Sequence, residues 1–312
     1  MKLINFKEGQ YPSQPDPFIL KTNDGKYYIY VTGIDGVHAY VSNELTQNYE
    51  DIGIVFSVPN GKEYWAPSVV YTHGKYYMYV SFMNSNEDDV HMQTMHVAVA
   101  DEPCGPFHTP TALIAPFSID SHVVENDAGL FMFYSLNDYE AERAGTYIAV
   151  DKMLDPRTVA GNPTPVVRAT LDEEIFCRDR FKKGQHWHTL EGGFYFREGD
   201  THYLIYSGNC YESEYYYLGY AVAHGNENDL TKLNFKKYPD ENTYLPLIAA
   251  NEFEAGTGHN SVIKDGDQYY AIYHGRDIPP DPRIKGDNRT ARICRLEING
   301  DKITALRYED KV

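Results

Sequence analysis

The chain has 312 residues, 42% of them hydrophobic, and carries a net charge of −17 from 45 acidic and 28 basic side chains. That length allows one large domain or two ordinary ones, and the acidity argues against nucleic acid or an anionic membrane as partner. The four cysteines form no CxxC pair, no run of about 18 apolar residues occurs, and "MKLINFKEGQYPSQ" lacks the apolar core of a secretory leader, so free buried thiols, no membrane span and a cytoplasmic location are expected.

In chain order, five turn-plus-strand segments recur: "DGKYYIYVT" (24–32), "HGKYYMYVS" (73–81), "DAGLFMFYS" (127–135), "GDTHYLIYS" (199–207) and "DGDQYYAIYH" (265–274). A shorter apolar segment precedes each: "DPFIL" (16–20), "APSVV" (66–70), "DSHVV" (120–124), "EGGFYF" (191–196) and "HNSVI" (259–263). Each pair reads as a β-hairpin. Long helical periodicity is absent. Five such units predict an all-β, five-bladed β-propeller over residues 1–312, a single domain with the first strand of each blade lining the central axis.

Counting back 15 or 16 residues from the aligned strand ends Thr32, Ser81, Ser135, Ser207 and His274 gives Asp16, Ala66, Asp120, Glu191 and His259. Four of these five are ionisable where packing alone would select apolar residues. A propeller would gather them near its axis. Crowded carboxylates repel, so one is held protonated while another stays charged, which is the division of labour that glycoside hydrolysis needs. One histidine with three acids is a poor zinc set, while a calcium-type oxygen site is compatible with it. Tyrosine is abundant, with 28 copies, and suits both strands and sugar contacts.

The ordered set "QPDPFIL", "YWAPSVV", "SIDSHVV", "TLEGGFYF" and "GTGHNSV" resembles the successive blade signatures of glycoside hydrolase family 43. The resemblance spans nearly the whole chain and implies an inverting glycosidase. Asp16 would be the base that activates water, Glu191 the general acid, and Asp120 the carboxylate that orients the acid and raises its pKa. Trp65 and Ala66 would wall the sugar pocket, and Arg289 would reach it late in the chain, with Arg292 as competitor. His259 would sit near a water-held cation, commonly calcium; no organic cofactor is implied. Release of terminal α-L-arabinofuranosyl groups from a small oligosaccharide is the expected activity. β-Xylosidase and endo-arabinanase are alternatives within the family, and a non-catalytic sugar-binding propeller is one outside it. The oligomeric state is left open.

Beyond these signatures, "GQHWHTLEG" places His186, Trp187 and His188 before the acid, either as a sugar platform at Trp187 or as a packed interblade loop. "CYESEYYYLGY" (210–220) reads as strand and blade surface, with a sugar platform as the alternative, "NSNEDD" (84–89) as a solvated loop, and "IPPDPRIKGDNR" (278–289) as a connection able to reach the pocket rim.

Overall fold

The computed structural model describes residues 2–4, 6, 13–281 and 286–307. Blade one comprises Phe18–Lys21, Tyr27–Val31, Val37–Ser42 and Glu50–Phe56. Blade two comprises Gly61–Thr72, Lys75–Asn84, Thr94–Ala100 and His108–Ile114. Blade three follows with Ser118–Asn126, Gly129–Asp138 and Gly145–Asp155, edged by Thr158–Val159 and Thr164–Val167. Blade four is Trp187–Glu198, Thr201–Gly208, Tyr217–His224 and Lys236–Lys237. Blade five is Glu254–Asp265, Gln268–Asp277, Thr290–Asn299 and Lys302–Leu306. The N-terminal strand Lys2–Leu3 pairs antiparallel with Thr290–Asn299, so both ends of the described chain meet in blade five.

The alternation of strand side chains closes the ring. In the second strand of blade one, Tyr28 and Tyr30 pack against blade two, beside Met78 and Val80. Ile29 and Val31 point the other way, against Ile263 and Ile272 of blade five. The same split recurs in blade three, where Leu130 and Met132 meet blade two while Phe131 and Phe133 meet blade four. Tyr203 and Ile205 of blade four join Ala271 and Tyr273 of blade five. Five apolar clusters thus fill five seams. Because successive residues face opposite seams, a second strand is buried on both sides and reads as an unbroken aromatic and aliphatic run.

Ion pairs of two buried cations, Lys237 and Arg292, hold one long connection and the inside of blade five. Lys237 meets Glu174 at 2.5 Å, and Glu174 also accepts the backbone N–H groups of Thr170 and Leu171. This ties the crossover between blades three and four to the outer strand of blade four. Arg292 meets Glu254 and Asp277, each at 2.6 Å, inside blade five. Among the described residues there is no helix long and apolar enough to cross a membrane. The expectation of buried thiols holds for Cys294 alone; Cys104 is exposed, Cys177 and Cys210 are intermediate, and all four are free.

Candidate active site

The inner strands of blades two to five each carry a bulge beside the axis, and the bulges correct the register read from sequence. Trp65 pairs with Ser81, Ile119 with Ser135, Glu191 with Ser207 and Gly258 with His274. In blade one the carbonyl of Pro15 accepts the N–H of Thr32. The next residue in each blade has left-handed backbone: Asp16 (φ 53°), Ala66 (45°), Asp120 (59°), Gly192 (62°) and His259 (46°). The true counterpart of Asp16 in blade four is therefore Gly192, with Glu191 one place earlier. The offsets misled because the blade-one hairpin is one residue longer, pairing Phe18 with Tyr30 where the others pair Ser68 with Tyr79 and Phe194 with Ile205. Nor do these residues all begin strands. The inner strands of blades two and four start at Gly61 and Trp187, and that of blade one starts at Phe18.

Four non-glycine residues in a left-handed conformation each cost about 1 kcal/mol or more. Contacts between blades hold them. The N–H of Ala66 donates to Thr32 Oγ1 (2.8 Å), that of His259 to Ser207 Oγ (2.8 Å) and that of Asp16 to His274 Nδ1 (3.1 Å). Three of the five strand-end residues that aligned in the sequence, Thr32, Ser207 and His274, thus clamp the bulge of the following blade, while the hydroxyls of Ser81 and Ser135 are buried without a partner among the described residues. A bulge re-aims its side chain, and here Asp16, Asp120 and His259 converge. His259 Nδ1 lies 3.6 Å from Asp16 Oδ1 and 3.9 Å from Asp120 Oδ2.

Asp16 is buried and richly partnered. Its Oδ2 accepts from Thr32 Oγ1 (2.6 Å), and its Oδ1 lies 3.2 Å from both Arg289 Nη1 and His274 Nδ1. Burial alone would push this carboxyl up, but Arg289, His259 and His274 together outweigh it and hold it well below the usual range. Arg289 is itself fixed by two hydrogen bonds from Nε and one from Nη2 to the Asp287 carboxylate, and it lies 5.0 Å over the Tyr211 ring. Arg292, engaged in blade five, is excluded as its competitor.

Glu191 behaves in the opposite way. Burial and the charge of Asp16 push its carboxyl up to about 7, against a hydrogen bond from Tyr216 Oη (2.8 Å) that favours the ionised form. Asp120 is raised well above its usual value by burial, then by Glu191 and Asp16, although it accepts the Gly192 N–H at 3.1 Å. The rise expected at Glu191 is present, but its main sources are burial and Asp16 rather than Asp120.

These groups open onto a cavity of ≈ 660 Å³ whose wall includes Trp65, Trp187, Phe117, Tyr211 and Arg289. Trp65 is anchored by Nε1–H to Glu63 Oε2 (2.9 Å). Trp187 borders the cavity but is 3% exposed, packed by Tyr139 and Phe181 and capped by Arg180 at 4.8 Å. It is a packed wall, not an open stacking face. His186 faces Asp179, and His188 bonds Ala144 and Arg143, both away from the carboxylates. Ala66 lines a narrow axial cavity beneath. Asn84 ends a strand of blade two, and residues 85–89 are a turn and loop, largely exposed, as expected. Of the 278–289 loop, Gly286 to Arg289 border the pocket, while residues 282–285 lie outside the described residues.

From the sequence, three residues are assigned no contact with the carboxylates or with Arg289. Tyr211 and Tyr216 lie in a segment read as strand and blade surface, with a sugar platform as the alternative; residues 210–216 are a loop bordering the pocket, nearer the second reading. His274, aligned as a strand end, was assigned no chemistry. The signal was there, since a histidine replaces the Thr or Ser found at that place in the other four blades.

The axial cavity has ≈ 10 Å³ of room, lined by His259 and Asn260 among others. Both side-chain amide atoms of Asn260 are buried without a partner. Among the described residues no three His, Cys, Asp or Glu side chains form a direct ligand set. One imidazole and one free amide suit a hard cation held mainly through water.

A propeller with an ionised carboxylate and a raised carboxyl over a sugar-sized cavity defines the architecture of a glycosidase. Residues 11–303 match the model of "Glycosyl hydrolases family 43", and the chain belongs to that family. It is similar to an extracellular exo-α-(1→5)-L-arabinofuranosidase of Streptomyces avermitilis, 25% identical over 96% of this chain and 62% of that protein. The chain thus spans about three fifths of that relative's length. It is also similar to a xylosidase/arabinosidase of Bacteroides ovatus, 27% identical over 97% of both chains. A thermostable family-43 glycoside hydrolase of known structure superimposes with a TM-score of 0.76 at 26% identity, covering 96% of this chain and 95% of its own.

Proposed function

We propose that the protein hydrolyses glycosidic bonds of pentose-containing oligosaccharides with inversion, releasing terminal α-L-arabinofuranosyl groups. The observation that carries this reading is that Asp16, paired with Arg289, and Glu191, bonded by Tyr216, face one cavity. Asp16, ionised, takes a proton from water as the water oxygen attacks the anomeric carbon. Glu191, protonated, gives its proton to the departing oxygen as the glycosidic bond breaks. Arg289 keeps Asp16 charged, and Asp120 supports the Gly192 turn beside the acid. The arabinofuranosidase relative supports arabinose as the released sugar. The relative named xylosidase/arabinosidase, which matches over nearly its full length, supports β-xylosidase as a second reading.

The same proposal includes a hard cation at the axis. His259 would hold it directly and Asn260 through water, and it would fix the orientation of His259 without entering the proton transfers. Chromatography of products from arabino- and xylo-oligosaccharides tests the sugar: arabinose as main product is expected, and xylose would overturn it. NMR of the first-formed anomer tests the stereochemistry, with retention ruling out Asp16 as the water-activating base.

A further inference from the structure

We propose that Tyr216 is the positioning residue for the Glu191 carboxyl, occupying Oε1 so that Oε2 presents the transferable proton to the pocket. The inference rests on reading Glu191 as the acid. Tyr216 is 1% exposed and directs its single O–H to Glu191 Oε1 at 2.8 Å. A protonated carboxyl has one O–H of its own. With Oε1 accepting from tyrosine, that proton resides on Oε2.

The ring is held by a place made for it. Gly258 occupies in blade five the position that Glu191 occupies in blade four, each paired with the residue closing its hairpin. A Cβ at Gly258 would stand 1.9 Å from the Tyr216 ring. The position is thus emptied of any side chain in the blade next to the acid, and the tyrosine fills the space. The ring also stacks on His274, the residue paired with Gly258, with centroids 5.8 Å apart and planes at 10°. His274 contacts Asp16, so a single ring is braced between the two halves of the reaction.

The charged and titratable groups around Glu191 are Asp16 and Asp120 from blades one and three, Arg289, the His259 ring beside both aspartates, and the Cys210 thiol on the loop carrying Tyr216. Tyr216→Phe leaves all of them and the stacking in place and removes only the hydroxyl. A donor to a carboxylate favours its charged form, so its loss raises the acid's pKa and moves the alkaline limb of the kcat/KM profile to higher pH.

The test compares Tyr216→Phe, Gly258→Ala and Glu191→Ala on oligosaccharides and on activated aryl glycosides. For Tyr216→Phe we expect a 10- to 100-fold fall in kcat on oligosaccharides, less than a threefold fall on activated substrates, and the upward shift of the alkaline limb. Gly258→Ala, which displaces the ring, should shift the limb in the same direction. An unmoved limb in Tyr216→Phe, or an equal loss on both substrate types, would overturn the positioning role. Should Glu191→Ala itself fail to discriminate between the two substrate types, the assignment of the acid falls, whatever Tyr216→Phe does.

Discussion

Asp16 and Glu191 share one pocket and prefer opposite charge states: the first is held well below the usual carboxylate range, the second is raised to about 7. The charge of Asp16 adds to the burial that raises Glu191, while the Arg289 guanidinium lies 3.2 Å from Asp16 and pairs with it. The general acid must be protonated to act. Activity is therefore expected to fall as pH rises through about 7, and a kcat/KM profile flat to pH 9 would contradict this.

The same shift has a stability sign. The folded-state value of Glu191 lies above its ordinary 4.5, so the protein loses stability as pH rises from about 4.5 to about 7 and the buried carboxyl is forced to ionise. Glu191→Gln removes that charge. It should match the wild type at pH 4 and exceed it at pH 8 by about 1–3 kcal/mol, a margin discounted for the opening to the pocket. Denaturant melts at the two pH values check it.

Arg289→Ala should strip Asp16 of its main counter-charge and leave Asp287 unpaired. The acidic limb of the pH profile should then move up toward neutrality, with kcat/KM lower by at least about 10²-fold. Breaking a buried pair also costs about 3–5 kcal/mol, readable as a lowered denaturation midpoint. An unmoved acidic limb would show that the guanidinium does not set the base.

Much of the ring was legible because each second strand is buried on both faces and so leaves an apolar run with a fixed tail. The site was legible where charge stood at the bulge, as at Asp16, Asp120 and His259. The register of Glu191 was not, because one extra hairpin residue in blade one mimics a shift in blade four. Arg289 and Arg292 could not be separated by spacing. Only the pairing of Arg292 with Glu254 inside blade five removes it. Tyr216 hid among tyrosines of similar neighbourhood, since a loop residue aimed at another blade leaves no periodic trace.

Gly192→Ala probes that register. The site has φ 62°, and a Cβ there would stand 3.1 Å from His259 Nδ1. The substitution should destabilise by about 1–2 kcal/mol and disturb the Asp120 contact made by its N–H. The same change at Gly199, with similar φ but nothing within 4 Å, separates the cost of the conformation from the cost of the contact.

For the axial cation, elemental analysis of purified protein should find bound metal. Exhaustive chelation should lower the melting temperature and reduce activity, with recovery on adding calcium. Protein that is metal-free and fully active and stable throughout would exclude a functional ion.

Repeat architectures are often divisible: trim a unit and the remainder keeps a working surface. The ring closure in blade five forbids that here. Blades one to four hold Asp16, Asp120 and Glu191 but lack Arg289 and His274. Blades two to five hold the arginine but lack the base it charges. No stretch of fewer than five blades in chain order holds all of these residues, so a form truncated by an end blade loses the reaction rather than a fraction of it.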